Sequence, residues 1–153
     1  MSLDDDTKYM RIAIEASRSA LAKGNMPYGA ALVSAGGELL HVSENNQVST
    51  GDCTGHAEVA LIREAGAKFG PQVLEGATVY ASGEPCAMCA GALFWARVAR
   101  VVFGAPNATL MRLGGKPTLA LDSADVLRHG SHAVRVDGPL LEEEAAEVIA
   151  TKR

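Results

Sequence analysis

The succession of helical and strand-like patterns predicts an α/β fold, a three-layer α/β/α sandwich around one mixed five-stranded sheet. Two observations carry that reading. A stretch with helical periodicity leads into a two-stranded hairpin, which gives the sheet an antiparallel part. Helical and strand-like segments then alternate to the end of the chain, the pattern that builds parallel strands through crossovers.

From Asp6 to Lys23 apolar residues recur at helical spacing (Met10, Ile12, Ala13, Ala16, Ala20, Leu21), with Asp6 or Thr7 as cap and Gly24 as stop. Tyr28 to Ser34 is a short apolar run, Gly36-Gly37 a turn, and Glu38 to Ser43 the return strand. A polar loop, residues 44–55, delivers the chain to a helix over 56–67. Thr78 to Ser82 is a third strand, rich in β-branched and aromatic residues. Pro85 suits the first turn of a helix running to about Arg97. Val98 to Gly104 is a buried-looking strand, and residues 105–118, punctuated by Gly and Pro, read as a loop. Residues 124–129 suggest a turn or two of helix, 133–136 a last strand, and Pro139 opens a Glu-rich helix through Ala150. No repeat or domain boundary interrupts the 153 residues, so one domain over 1–153 is expected.

Composition narrows the function. Apolar residues make up 48% and charged residues 21%, ordinary for a globular protein. No apolar run approaches the roughly 20 residues that cross a bilayer. The start, Met1-Ser-Leu-Asp-Asp-Asp, is acidic, unlike a signal peptide's basic leader. A cytoplasmic location and no membrane partner are therefore expected. The net charge of −4 makes a nucleic-acid partner unfavoured and a small molecule favoured, because phosphate contacts dominate polynucleotide affinity.

The chemistry concentrates in His56-Ala57-Glu58 and Pro85-Cys86-Ala87-Met88-Cys89. One imidazole and two thiolates offer Zn²⁺ three protein ligands and leave a fourth position for water, the pattern of catalytic sites. Both halves fall at expected helix starts, where free N–H groups and the dipole favour thiolates. Cysteines three apart on a helical turn face the same way, and Glu58 sits where a carboxylate can move protons without being a ligand. A structural zinc knot with a fourth ligand from Cys53, His41, His129 or His132 is the plainer alternative. It would leave a non-catalytic scaffold or binding protein.

The spacing H-x-E…P-C-x-x-C resembles the zinc-dependent cytidine/deoxycytidylate deaminase superfamily. The resemblance runs from Met10 to Glu147 and is similar in detail to the nucleobase branch, guanine deaminases above all. It implies a cytidine deaminase-like fold, a homodimer, and hydrolytic deamination in which Glu58 deprotonates a zinc-held water and the hydroxide attacks an amidine-like ring carbon. Ligands would be His56, Cys86 and Cys89. Pro27-Tyr28-Gly29-Ala30 resembles a Pro-Phe-Gly-Ala turn, which makes Tyr28 a substrate-binding candidate. Asn45 lies where relatives place a substrate-binding asparagine, although an Asx-turn explains it equally. The N–H groups of Ala57 and Glu58 would meet the substrate carbonyl. Phe94-Trp95 resembles guanine deaminases, with Trp95 either at the substrate or in the core. Glu84 matches a glutamate common before Pro-Cys and suits a cap for the next helix. Cys53 and Gly55 depart from the family's Pro and Ala; Cys53 reads as a buried free thiol, and Met88 and Leu93 as core.

Guanine is the favoured base. Against it, no Phe, Tyr or Trp follows Phe103, where guanine deaminases use aromatics to close the pocket. Cytosine, isoguanine, an aminotriazine or a pterin-like ring stay open. Val101-Val102-Phe103-Gly104-Ala105 resembles tRNA adenosine deaminases, but Glu142, Glu143, Glu144 and Glu147 would repel a phosphate backbone. The terminal Lys152-Arg153 reads as a solvated basic end.

Overall fold

The structure is a computed structural model that describes residues 2–114 and 119–151. The expectation for Lys152-Arg153, and the end of the loop expected over 105–118, lie outside the described residues. In chain order the elements are α1 (Leu3–Ala22), β1 (Gly29–Val33), β2 (Leu39–Glu44), α2 (Gln47–Thr50), α3 (Ala57–Phe69), β3 (Thr78–Gly83), α4 (Ala87–Ala96), β4 (Arg100–Ala105), α5 (Asn107–Gly114), α6 (Ser123–Leu127), β5 (Arg135–Asp137) and α7 (Glu142–Ala150). One five-stranded sheet runs β2-β1-β3-β4-β5. The β1 strand pairs antiparallel with β2 and β3, and the β3–β4 and β4–β5 pairs are parallel.

Alternation along the central strands divides the core. Ala30, Leu32, Val79 and Val101 pack against Leu61 of α3, Leu93 of α4 and Leu127 of α6. Ala31, Val33, Tyr80 and Val102 pack on the other face against Met10 and Ile14 of α1 and Val148 and Ile149 of α7. Every residue of β1 and β3 is buried, which is why these strands are apolar runs rather than alternating ones. The three-layer α/β/α sandwich expected from the sequence is the observed fold.

Gly29 records how closely α1 lies on the sheet. A Cβ there would sit 2.2 Å from the Ala13 carbonyl oxygen and 2.6 Å from the Ala16 Cβ, so no other residue fits without moving the helix.

Several boundaries differ from expectation for physical reasons. Ser2, not Asp6 or Thr7, caps α1: its hydroxyl accepts from the Asp5 N–H while Asp5 accepts from the Ser2 N–H. Asp6 is instead buried, accepting from both Nη1 (2.8 Å) and Nη2 (2.9 Å) of Arg100 and from the Tyr80 hydroxyl. Arg100 also donates through Nε to Asp137 at 2.7 Å, tying α1, β3, β4 and β5 together. Residues 107–114 form a helix, not a loop, because Leu110 and Leu113 turn toward the α1/α7 side of the sheet. Pro85 precedes the α4 cap instead of entering its first turn, and α7 opens at Glu142 rather than Pro139.

The Arg100 hydrogen bonds, acting against burial, hold the Asp6 carboxyl below its ordinary value of 3.8. The stabilisation is therefore complete above that value and is lost as pH falls through the lowered pKa. Asp6→Ala leaves Arg100 without its buried partner and should cost about 3–5 kcal/mol at pH 7 by urea denaturation, with the gap from wild type shrinking below pH 4.

Candidate active site

The parallel strands β3 and β4 end at Gly83 and Ala105, the edge of a parallel sheet where ligands generally bind. There α3 and α4 both begin. His56 is the N-cap of α3 and Cys86 the N-cap of α4, each in extended backbone and neither using its side chain to cap its own helix. Both side chains are thereby free for each other. His56 Nδ1 lies 3.6 Å from Cys86 Sγ and 3.5 Å from Cys89 Sγ. A tetrahedral ion with Zn–N of about 2.0 Å and Zn–S of about 2.3 Å would space nitrogen and sulphur about 3.5 Å apart. The donor set fits zinc in chemistry and spacing.

Among the described residues the three donors form the candidate metal group, their ligand atoms lying within 4.8 Å of one another. The alternative fourth ligands are elsewhere: Cys53 is exposed, His41 Nε2 pairs with Glu64 at 2.8 Å, His129 is exposed, and His132 stacks on Phe94 at 4.2 Å. Cys53 is thus not the buried thiol expected; it sits on the turn before α3 rather than under it.

Without an ion the two thiols share a proton. Cys89 donates to Cys86, which, with the neighbouring imidazole, draws the Cys86 thiol down to about 4 despite burial and pushes Cys89 up. The Cys86 thiolate in turn raises His56. An incoming cation displaces those protons, so metal affinity falls with pH.

Glu58, 6% exposed on the first turn of α3, completes the cluster. Burial first, and the Cys86 charge second, push its carboxyl up to about 7, and its oxygen reaches the Cys89 thiol. A carboxyl poised near neutrality can both take and return a proton at physiological pH.

The structure also brings Tyr28 and Asn45 together, since the Asn45 N–H donates to the Tyr28 carbonyl at 3.0 Å. Burial, and then the Glu58 charge, raise the Tyr28 phenol. The Asn45 side chain, 1% exposed, closes an Asx-turn by accepting from the Gln47 N–H at 3.1 Å, and its amide donates to Gln47 Oε1 at 2.8 Å. The Ala57 N–H, first in its helix, has no intrahelical acceptor.

Trp95 is neither core nor gathered at the metal group. It is 81% exposed, six residues beyond Cys89 and so turned about 240° from it around α4. Met88, expected in the core, is also exposed on this helix, while Leu93 is buried as expected. Sequence reasoning missed Gly83, on whose bare Cα the Tyr28 ring packs: a Cβ there would meet the ring at 2.9 Å.

Residues 3–105 match the cytidine and deoxycytidylate deaminase zinc-binding region. The chain belongs to that family. It is a zinc-dependent hydrolase acting on cyclic amidine C–N bonds. It is 39% identical over 149 residues to a probable cytosine deaminase of Schizosaccharomyces pombe, covering 93% of this chain and 88% of that protein. To a tRNA-specific adenosine deaminase of Bacillus subtilis it is 43% identical over 103 residues, 67% of this chain and 63% of the other. A tRNA(Ile)-lysidine synthase of Deinococcus deserti is 35% identical over 137 residues, 90% of this chain, which spans only 25% of that protein. Among solved structures, a guanine deaminase from Nitrosomonas europaea superposes with a TM-score of 0.78, 94% of this chain and 82% of the other covered, at 21% identity; this likeness is one of fold.

The Glu58 shift predicts a pH signature in metal-free protein. Between 4.5 and about 7 the folded state holds a proton that the unfolded state has lost, so stability falls as pH rises through that window. Glu58→Gln should remove this fall and stabilise chelator-treated protein at pH 8 by up to about 3 kcal/mol. Identical denaturation curves for the two proteins from pH 5 to 8 would contradict the buried carboxyl.

Proposed function

We propose that the chain, acting as a single deaminase domain over residues 1–153, hydrolytically deaminates a free aminated nucleobase, cytosine first and guanine second. The observation that carries this is the buried Glu58 carboxyl against the His56, Cys86 and Cys89 donors. Those three residues would hold zinc, which when bound would supply Lewis acidity for the hydrolysis. Glu58 takes the proton of the attacking water and returns protons to the ring nitrogen and the departing amine. Water and the C–NH₂ group become a C=O group and ammonia. Asn45, though engaged with Gln47, keeps a second amide proton and lone pair for the polar edge of the ring. The Ala57 N–H meets the substrate carbonyl, and Tyr28 packs beside the ring.

Cytosine moves ahead of guanine for two reasons. Near full-length identity joins this chain to a probable cytosine deaminase, whereas the guanine deaminase likeness is one of fold. Trp95, part of the guanine-like signature, points away from the metal group of its own chain. A tRNA adenosine deaminase is the second reading, favoured by the 43% identical stretch and disfavoured by the net charge of −4.

The test is ammonia release from zinc-loaded protein offered cytosine, guanine, isoguanine, adenine, aminotriazines and their nucleosides. Release from one free base supports the reading. Silence across the panel, with salt-sensitive binding of an anticodon stem-loop, would overturn it in favour of tRNA.

We further infer a homodimer in the cytoplasm, where the free thiols stay reduced. Met88 and Trp95, seven residues apart, share one exposed side of α4 and offer a two-residue apolar patch. Sedimentation should show a dimer at micromolar concentration and mostly monomer for Trp95→Glu; a wild-type monomer would contradict the assignment.

A further inference from the structure

Glu84 has no part in the proton transfers above, yet it is 8% exposed with both oxygens engaged. Oε1 accepts from the Asn107 N–H at 2.8 Å, at the start of α5. Oε2 accepts from the Ser123 N–H at 2.7 Å and the Ser123 hydroxyl at 3.0 Å, at the start of α6. The Glu84 N–H donates to the Ala105 carbonyl at 2.8 Å. Glu84 is therefore not the cap of α4 that its place before Pro85 suggests. Its partners are two other helix starts, drawn to a point two residues before Cys86.

Where α5 then runs matters for the site. A Cβ on Gly83 would meet the Tyr28 ring at 2.9 Å and Leu110 Cδ1 at 3.3 Å, so the two side chains crowd over one bare backbone position. Residues 83 and 84 thus meet the Tyr28 and Leu110 side chains at Gly83 and the two helix starts at Glu84. Hydrogen bonds to a carboxylate are stronger than neutral ones, and without the acceptor buried N–H groups would be left unsatisfied.

We propose that Glu84 is a positioning residue for substrate: its carboxylate fastens the starts of α5 and α6 beside Cys86 and so fixes Leu110 behind Tyr28, the ring that is presented to the bound heterocycle. The substrate half rests on the deaminase reading; the clamp half rests on the hydrogen bonds alone. Glu84→Ala removes both acceptors, and Glu84→Gln keeps one.

Two measurements on the full zinc-loaded chain decide it. Amide exchange at Asn107 and Ser123 should speed up roughly tenfold in Glu84→Ala and less in Glu84→Gln, while β3 and β4 keep their protection. With the best substrate of the wild type, KM should rise roughly tenfold in Glu84→Ala with kcat nearly unchanged, and Leu110→Ala should reproduce that split without faster exchange at Asn107. Unchanged exchange overturns the clamp. Faster exchange with unchanged KM overturns the positioning role. Loss of zinc or of β-strand protection in both Glu84 variants makes Glu84 a folding residue and overturns the proposal. If the wild type deaminates no base, the deaminase reading fails by itself, and exchange still decides the clamp.

Discussion

Two helix N-termini aimed at one point set the terms for the rest of the structure. His56 and Cys86 are the caps of α3 and α4, and the partial positive ends of both helices converge where the three metal donors meet. Such ends repel unless negative charge lies between them. Cys86, held as a thiolate, supplies it, and Glu58 on the first turn of α3 adds to it only as its carboxyl ionises near pH 7. The Cys89 thiol first, then the His56 imidazole and the Cys89 N–H in the first turn of α4, lower the Cys86 pKa as metal binding requires. Local backbone geometry and ligand chemistry are one arrangement here.

The sheet makes that convergence possible. Because β3 lies between β1 and β4, the chain leaving β3 reaches α4 through residues 84–86 alone, and α3 arrives from the other side after β2. Burying Glu58 opposes its ionisation, so the site costs stability at neutral pH. The buried Asp6–Arg100 pair, with Asp137, locks the opposite ends of the parallel strands, where Thr78 pairs with Arg100 in register. Polar fastening at one end leaves the other end for function.

The metal group was legible because its chemistry is local: a histidine and two cysteines at two helix starts fix donor type and spacing in sequence. Element order was legible too, since hydrophobic period follows the layers. What failed depends on partners distant in the chain. Asp6 has the composition of a cap, but its partners are Tyr80 and Arg100. Glu84 looks like a local cap, but its partners are Asn107 and Ser123. Residues 107–114 hid a helix because Pro106 and Gly114 bracket it as loop punctuation, while its apolar pair, Leu110 and Leu113, is short. Trp95 followed a resemblance that says nothing about which side of α4 it occupies.

Glu58, beside the His56, Cys86 and Cys89 donors, is the group proposed to move the protons of hydrolysis. Single-turnover ammonia release by Glu58→Gln at full zinc content measures that most directly. The rate should fall roughly 10²- to 10⁴-fold below wild type, with zinc and fold retained. An unchanged rate in zinc-loaded Glu58→Gln would contradict it and assign the proton transfers to another group.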